Sequence, residues 1–198
     1  MNNKPYTFVF FGIVGSGKGT QVELLQKYLK EKNFSEDVLF TSTGNEYRKL
    51  IGSGNYTGQI VKESLERGHL QPNFLTISLF TNILISGMKE NISFIADGFP
   101  RTIAQSEAFE DAMKFYNRNE VHVIYIELGK EEATKRMKLR GRSDDTDEGI
   151  AKRFDEYINN VVPSMNYFKD KAGFIMHTIN GEQTIEKVFE DIKKSLGI

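Results

Sequence analysis

The chain has 198 residues, 39% of them hydrophobic, with 26 basic side chains against 27 acidic ones and no cysteine. That length suits one domain that buries its own core without a disulfide or a structural metal. A formal charge of -1 lacks the basic excess of a nucleic-acid binder, and no stretch approaches the roughly 20 apolar residues needed to cross a bilayer. The expectation is a soluble protein, with cytoplasmic placement resting on the missing cysteines and the lack of a leader-like start.

In chain order, the apolar run 6–11 predicts a buried strand, and helical spacing takes over from 19 to 30. A second short strand is expected at 38–40, then a segment 42–72 read as an inserted lobe, then a helix over 72–88. The pattern repeats with strands at 92–96, 121–128 and 174–179, alternating with helical stretches at 102–116, 131–139, 148–168 and 182–196. Such alternation predicts a three-layer α/β fold, a five-stranded parallel sheet with helices on both faces. Two stretches break it: 52–58, with three glycines, and the polar segment 141–149. Both are expected to be mobile over the sheet, with the glycines as places to bend.

The strongest local signal is Gly12-Ile13-Val14-Gly15-Ser16-Gly17-Lys18-Gly19-Thr20, placed between a strand and a helix. Glycines let successive N–H groups point into one concavity, and the following helix adds its positive end. Lys18 supplies a compact charge for the outer phosphates. This combination predicts a P-loop NTPase fold that binds a nucleotide phosphate through Gly15, Ser16, Gly17, Lys18, Gly19 and Thr20. The usual pattern has Ser or Thr directly after the lysine; here Gly19 occupies that place and Thr20 comes one step later.

That variant, with Gln21 next, resembles the adenylate kinase family's GxPGxGKGTQ, except that Val14 stands where the family has proline. Further blocks agree in order. Ser42-Thr43-Gly44-Asn45-Glu46-Tyr47-Arg48 is similar to the family's STGDLLR, with Asn45 and Glu46 departing from it. Asp97-Gly98-Phe99-Pro100-Arg101 with Gln105 resembles DGFPR-x3-Q, and it follows an apolar run, where ligands of α/β sheets collect. Gly68-His69-Leu70-Gln71-Pro72 resembles GxLVP, with Gln71 replacing an apolar residue. Arg136 and Arg140 share a helix face by their spacing. With Arg142, Asp144, Asp145 and Arg153 they resemble the family's lid, at 140–149 shorter than its usual short form.

The resemblance implies a magnesium-dependent transfer of the terminal phosphoryl of ATP to AMP, giving two ADP. Lys18, Arg101, Arg140, Arg142 and Arg153 would stabilise the moving group, and Asp97 would hold magnesium through water. Arg136, Asn180 and Gly181 would face the ATP base, while Thr43, Gly44, Arg48, Gln71, Gly98, Arg101 and Gln105 would receive AMP. A monomer is expected, with no nucleic-acid or membrane partner. Without cysteine the four-cysteine zinc lid of some relatives is excluded, and His69, His122 and His177 lack ligand spacing. Other acceptors remain open, notably UMP or CMP, although Thr43 and Gln105 favour AMP. A catalytically inactive nucleotide-binding regulator is the alternative outside enzymes.

Overall fold

The computed structural model describes residues 5–32, 37–141 and 145–198. Its strands are β1 (Thr7–Phe11), β2 (Val38–Ser42), β3 (Ser93–Asp97), β4 (Val121–Glu127) and β5 (Phe174–Asn180). They pair in the order β2-β3-β1-β4-β5, every neighbour parallel. The expected three-layer α/β architecture is present. β1 lies at the centre with all five residues buried, which is why its run TFVFF has no polar alternation.

Two apolar layers cover the sheet. On one face Phe8, Phe10 and Ile95 pack against Val22, Leu25 and Leu29 of α1 (Lys18–Glu31), and against Val188 and Ile192 of α9 (Ile185–Leu196). On the other, Val9, Phe11 and Phe94 meet Phe80 of α4 (Asn73–Gly87), Phe109 of α5 (Ile103–Phe115) and Phe168. The Phe80 and Phe99 rings stack at 4.0 Å between centroids, so the loop after β3 is pinned by its own aromatic residue.

The segment between β2 and α4 folds as two helices, α2 (Thr43–Gly52) and α3 (Tyr56–Glu66). Within the glycine-rich stretch 52–58 only Ser53 and Gly54 form the turn, between the end of α2 and the cap of α3. Asn55 caps α3 by accepting a hydrogen bond from the Gly58 N–H at 2.8 Å. Gly58 itself lies inside α3, where a Cβ would run into the Leu50 carbonyl. It serves close helix packing, so the expectation that it bends the backbone is corrected.

After β4 come α6 (Lys130–Arg140), ended by Gly141 in the left-handed conformation, and α7 (Asp147–Glu156), capped by Thr146. The stretch 148–168 is not one regular helix: a π-helical turn (Tyr157–Val161) separates α7 from α8 (Val162–Asn166). Pro163 has no N–H to continue the ladder, and the wider turn accommodates the break.

Candidate active site

Parallel strands place their carboxyl ends on one edge, and the candidate residues gather there. The phosphate loop leaves β1 with Gly12 at φ 146°, Gly15 at 92° and Gly17 at 88°. A Cβ on Gly12 would lie 2.6 Å from the Ile126 carbonyl oxygen, and one on Gly15 would lie 2.9 Å from that of Ala133. Both glycines are therefore required by space as well as by φ.

Lys18 folds back over this loop. Its ammonium donates to the carbonyls of Gly12 (2.6 Å) and Ile13 (2.9 Å) and to Ser16 Oγ (3.3 Å). Burial pushes its pKa down to about 8; Asp97 works against that, while Arg101 and Arg140 add to it. Asp97, Arg101 and Arg140 are thus electrostatic neighbours of Lys18. Gly17, Gly19 and Thr20 are exposed at the mouth of the loop.

On the opposite side of the cleft the loop after β3 turns at Gly98, φ 78°. Thr43 Oγ1 donates to the Gly98 carbonyl at 2.8 Å, and Arg101 Nε donates to the same oxygen at 2.9 Å. A Cβ on Gly98 would collide with Thr43 Oγ1. Arg101 precedes α5, whose cap is Thr102. Gln105 is buried, its carbonyl accepting from the Arg101 N–H (2.8 Å) and its amide donating to Asn73 Oδ1 (2.9 Å). Arg48 is held on its own helix by Asn45 Oδ1. Gln71 is also buried and donates to Ser64 Oγ at 3.0 Å.

Thr43, Gly44, Arg48, Gln71, Gly98, Arg101 and Gln105 all line one cavity of about 760 Å3. Arg140 and Arg153 close its far wall. Both grip Asp145, which is almost fully buried: Arg140 through Nε (3.0 Å) and Nη2 (2.7 Å), Arg153 through Nη1 (2.7 Å). A smaller cavity joins the phosphate loop at Gly12 and Lys18 to Arg101 and Arg153. Arg142 and Asp144 lie outside the described residues.

The residues expected to face the base sit apart, around the ends of β4 and β5 and on α6. Arg136 donates to the Gly181 carbonyl at 3.0 Å and pairs with Glu132 at 2.8 Å. Gly181 N–H bonds the Glu127 carbonyl (2.7 Å), and Asn180 Oδ1 accepts from the Glu182 N–H (2.8 Å). His122 and His177, distant in sequence, meet at 3.0 Å across β4 and β5. Burial, then the neighbouring ring, lowers His177 below the usual histidine value.

Among the cavity residues that sequence reasoning missed are Tyr47 and Thr76, whose hydroxyls are 2.6 Å apart. A signal existed for one of them. Tyr47 follows Thr43 by four residues on α2, and both are buried. The segments of the cleft also touch each other. A Cβ on Gly68 would lie 2.8 Å from the Gly149 carbonyl of α7, and His69 Nδ1 is 3.6 Å from Glu156 Oε1.

The adenylate kinase family model matches residues 10–173, which span the phosphate loop, the residues of the cleft, Arg140 and Arg153. The chain belongs to the adenylate kinase family. Adenylate kinase of Prochlorococcus marinus (strain AS9601) is 33% identical, over 95% of this chain and 97% of that one. Adenylate kinase of Bacteroides fragilis (strain ATCC 25285) is 35% identical over 95% and 96%. That of Geobacillus sp. (strain WCH70) is 32% identical over 96% and 97%. This last alignment runs over 221 positions, more than this chain's 198 residues, so that relative carries insertions which this adenylate kinase family member lacks.

Proposed function

We propose that the chain is an adenylate kinase that moves the terminal phosphoryl of ATP onto AMP in a reversible, magnesium-dependent reaction. The observation that carries this reading is the convergence at Lys18. Its ammonium lies in the field of Asp97, Arg101 and Arg140, while Asp145 ties Arg140 to Arg153. Phosphoryl transfer needs alignment and charge stabilisation rather than a nucleophilic side chain, and four cations around one point supply that.

In this reading the loop N–H groups and Lys18 hold the donor phosphates, with the ammonium exchanging loop carbonyls for phosphate oxygens. Arg48 and Arg101 hold the acceptor phosphate in line. Arg140 and Arg153, with Arg142, meet the charge that spreads onto the moving group, and Arg136 lies over the donor base beside Asn180 and Gly181. Segments 42–72 and 140–149 act as the acceptor lobe and the lid, which close to keep water from accepting the phosphoryl. The charge balance and the absence, among the described residues, of any helix long and apolar enough to cross a membrane are consistent with a cytoplasmic monomer working on free nucleotides.

Magnesium fits this donor set as a substrate-borne ion. Among the described residues no cluster of three acidic or histidine ligands could hold a metal alone. Asp97, at the carboxyl end of β3 and in the field of Lys18, is the carboxylate that would bind its water shell beside the phosphates. The ion would neutralise charge on the outer phosphates.

The acceptor base meets Gln105. An amide side chain has two donor protons and two acceptor lone pairs. Arg101 N–H and Asn73 Oδ1 use one of each. One donor and one acceptor remain, matching the N1 and N6 edge of adenine. The test follows ADP formation from magnesium and ATP with AMP, CMP, UMP, GMP or dTMP, and Lys18→Ala as control. Preference for AMP is expected. Preference for a pyrimidine would overturn the acceptor assignment, and ATP binding without transfer to any acceptor would overturn the enzyme reading.

A further inference from the structure

Tyr47 and Thr76 stand in the acceptor cavity on two different helices, both buried, with no part in phosphate binding. The direction of the proton between them follows from counting. Thr76 has one hydroxyl proton, and its oxygen lies 3.1 Å from the Pro72 carbonyl, which has no proton to give. Both contacts are satisfied together only when Thr76 donates to Pro72 and Tyr47 donates to Thr76. Burial raises the Tyr47 pKa, against the opposing effects of Thr76 and Arg101, so the phenol keeps its proton at neutral pH. Its oxygen then offers the cavity a lone pair and no donor.

From this relay we infer that Tyr47 is a specificity-determining residue, which accepts a hydrogen bond from an exocyclic amine on the acceptor base and disfavours a keto oxygen there. The inference rests on the acceptor reading given above and deepens it. Gln105 alone does not impose this choice, because its one remaining donor and one remaining acceptor match in number a keto edge with an adjacent N–H as well as an amino edge. Tyr47 can donate only by breaking its bond to Thr76. A keto base must therefore displace a hydrogen bond that an amino base leaves intact.

The test compares kcat/KM for AMP with that for IMP, which carries a keto oxygen in place of the 6-amine, at saturating magnesium and ATP. Tyr47→Phe keeps the ring and removes the acceptor. The AMP-to-IMP ratio is expected to fall roughly 2- to 10-fold, the range for one net hydrogen bond. Thr76→Val frees the Tyr47 proton to point into the cavity, so it should lower the same ratio by raising IMP use. A loss of stability or packing alone would lower both substrates together and leave the ratio unmoved. An unchanged ratio in both variants, with the parent chain still preferring AMP, would overturn the role of Tyr47 and leave the adenylate kinase reading standing. Failure of the parent chain to use AMP at all would overturn both.

Discussion

In the proposed function the two halves of the cleft recognise nucleotides by different means. The donor half is built from backbone: a loop whose glycines at 12, 15 and 17 adopt positive φ, with a helix start behind it. The acceptor half is built from side chains, with Thr43, Tyr47, Gln71, Thr76 and Gln105 buried around one cavity. Every nucleotide presents the same phosphate oxygens, so amide N–H groups suffice for holding them. Bases differ in ring size and in the donor and acceptor order of their edges, which takes side chains to distinguish. Damage to the donor half should therefore abolish binding, whereas damage to the acceptor half should change preference.

The sharpest way to break that contrast is at Gly12. A valine there would meet both φ 146° and the Ile126 carbonyl 2.6 Å from its Cβ. Gly12→Val is expected to cost roughly 10³-fold in kcat/KM with every acceptor alike, on the scale of losing a preorganised phosphate cradle. Retained ATP binding by calorimetry would show that the loop tolerates side chains.

Asp145 joins the halves, because it accepts hydrogen bonds from both Arg140 and Arg153. Asp145→Ala releases two cations from fixed geometry. A fall of about 10²-fold in kcat with little change in KM for AMP is expected, since misplacement of aligned groups costs on that order. A change confined to KM would place these arginines in ground-state binding instead.

Gln105→Ala tests the acceptor half alone. Loss of a buried hydrogen-bonding edge should lower kcat/KM for AMP about tenfold while KM for ATP stays put. Equal effects on both substrates would mean that Gln105 acts through Arg101, whose N–H it accepts.

The smallest expected effect is on pH. Lys18 in the free protein titrates at about 8, because burial disfavours its charged form. Phosphate favours that form and raises the pKa on binding, so the bound state holds more protons than the free state above pH 8. ATP affinity should be flat below pH 8 and then weaken as pH rises, by up to about tenfold per unit. Proton uptake on binding at pH 9, read from calorimetry in buffers of different ionisation enthalpy, checks the sign. The Lys18→Ala protein should lose this dependence.

What the sequence disclosed follows the same division. The phosphate loop is a run of nine consecutive residues, so its chemistry lies in one window of the chain, as do the Asp97–Arg101 turn and the paired spacing of Arg136 and Arg140. The Tyr47–Thr76 relay joins residues 29 apart on separate helices, and its partners are set by how α2 crosses α4. His122 and His177 lie 55 residues apart and lack ligand spacing, yet the parallel register of β4 with β5 brings their rings together. Gly58 differs from its expected role for another reason: a glycine reads alike in sequence whether it permits motion or close approach. The π-turn after α7 is visible in hindsight through Pro163, which marks a break without saying how the chain absorbs it.

The contact of Gly68 with Gly149 ties the segment leading into the acceptor cavity to the helix that carries Arg153. At 2.8 Å from a would-be Cβ to a carbonyl, neither side can shift inward without displacing the other. Coupling between the affinities of two sites that share such a seam is the expected consequence. Whatever factor ATP imposes on the dissociation constant of AMP, AMP must impose on that of ATP, so one coupling constant describes both orders of addition. An alanine at Gly68 would wedge the seam apart and bring that constant towards one, uncoupling two substrates it never touches.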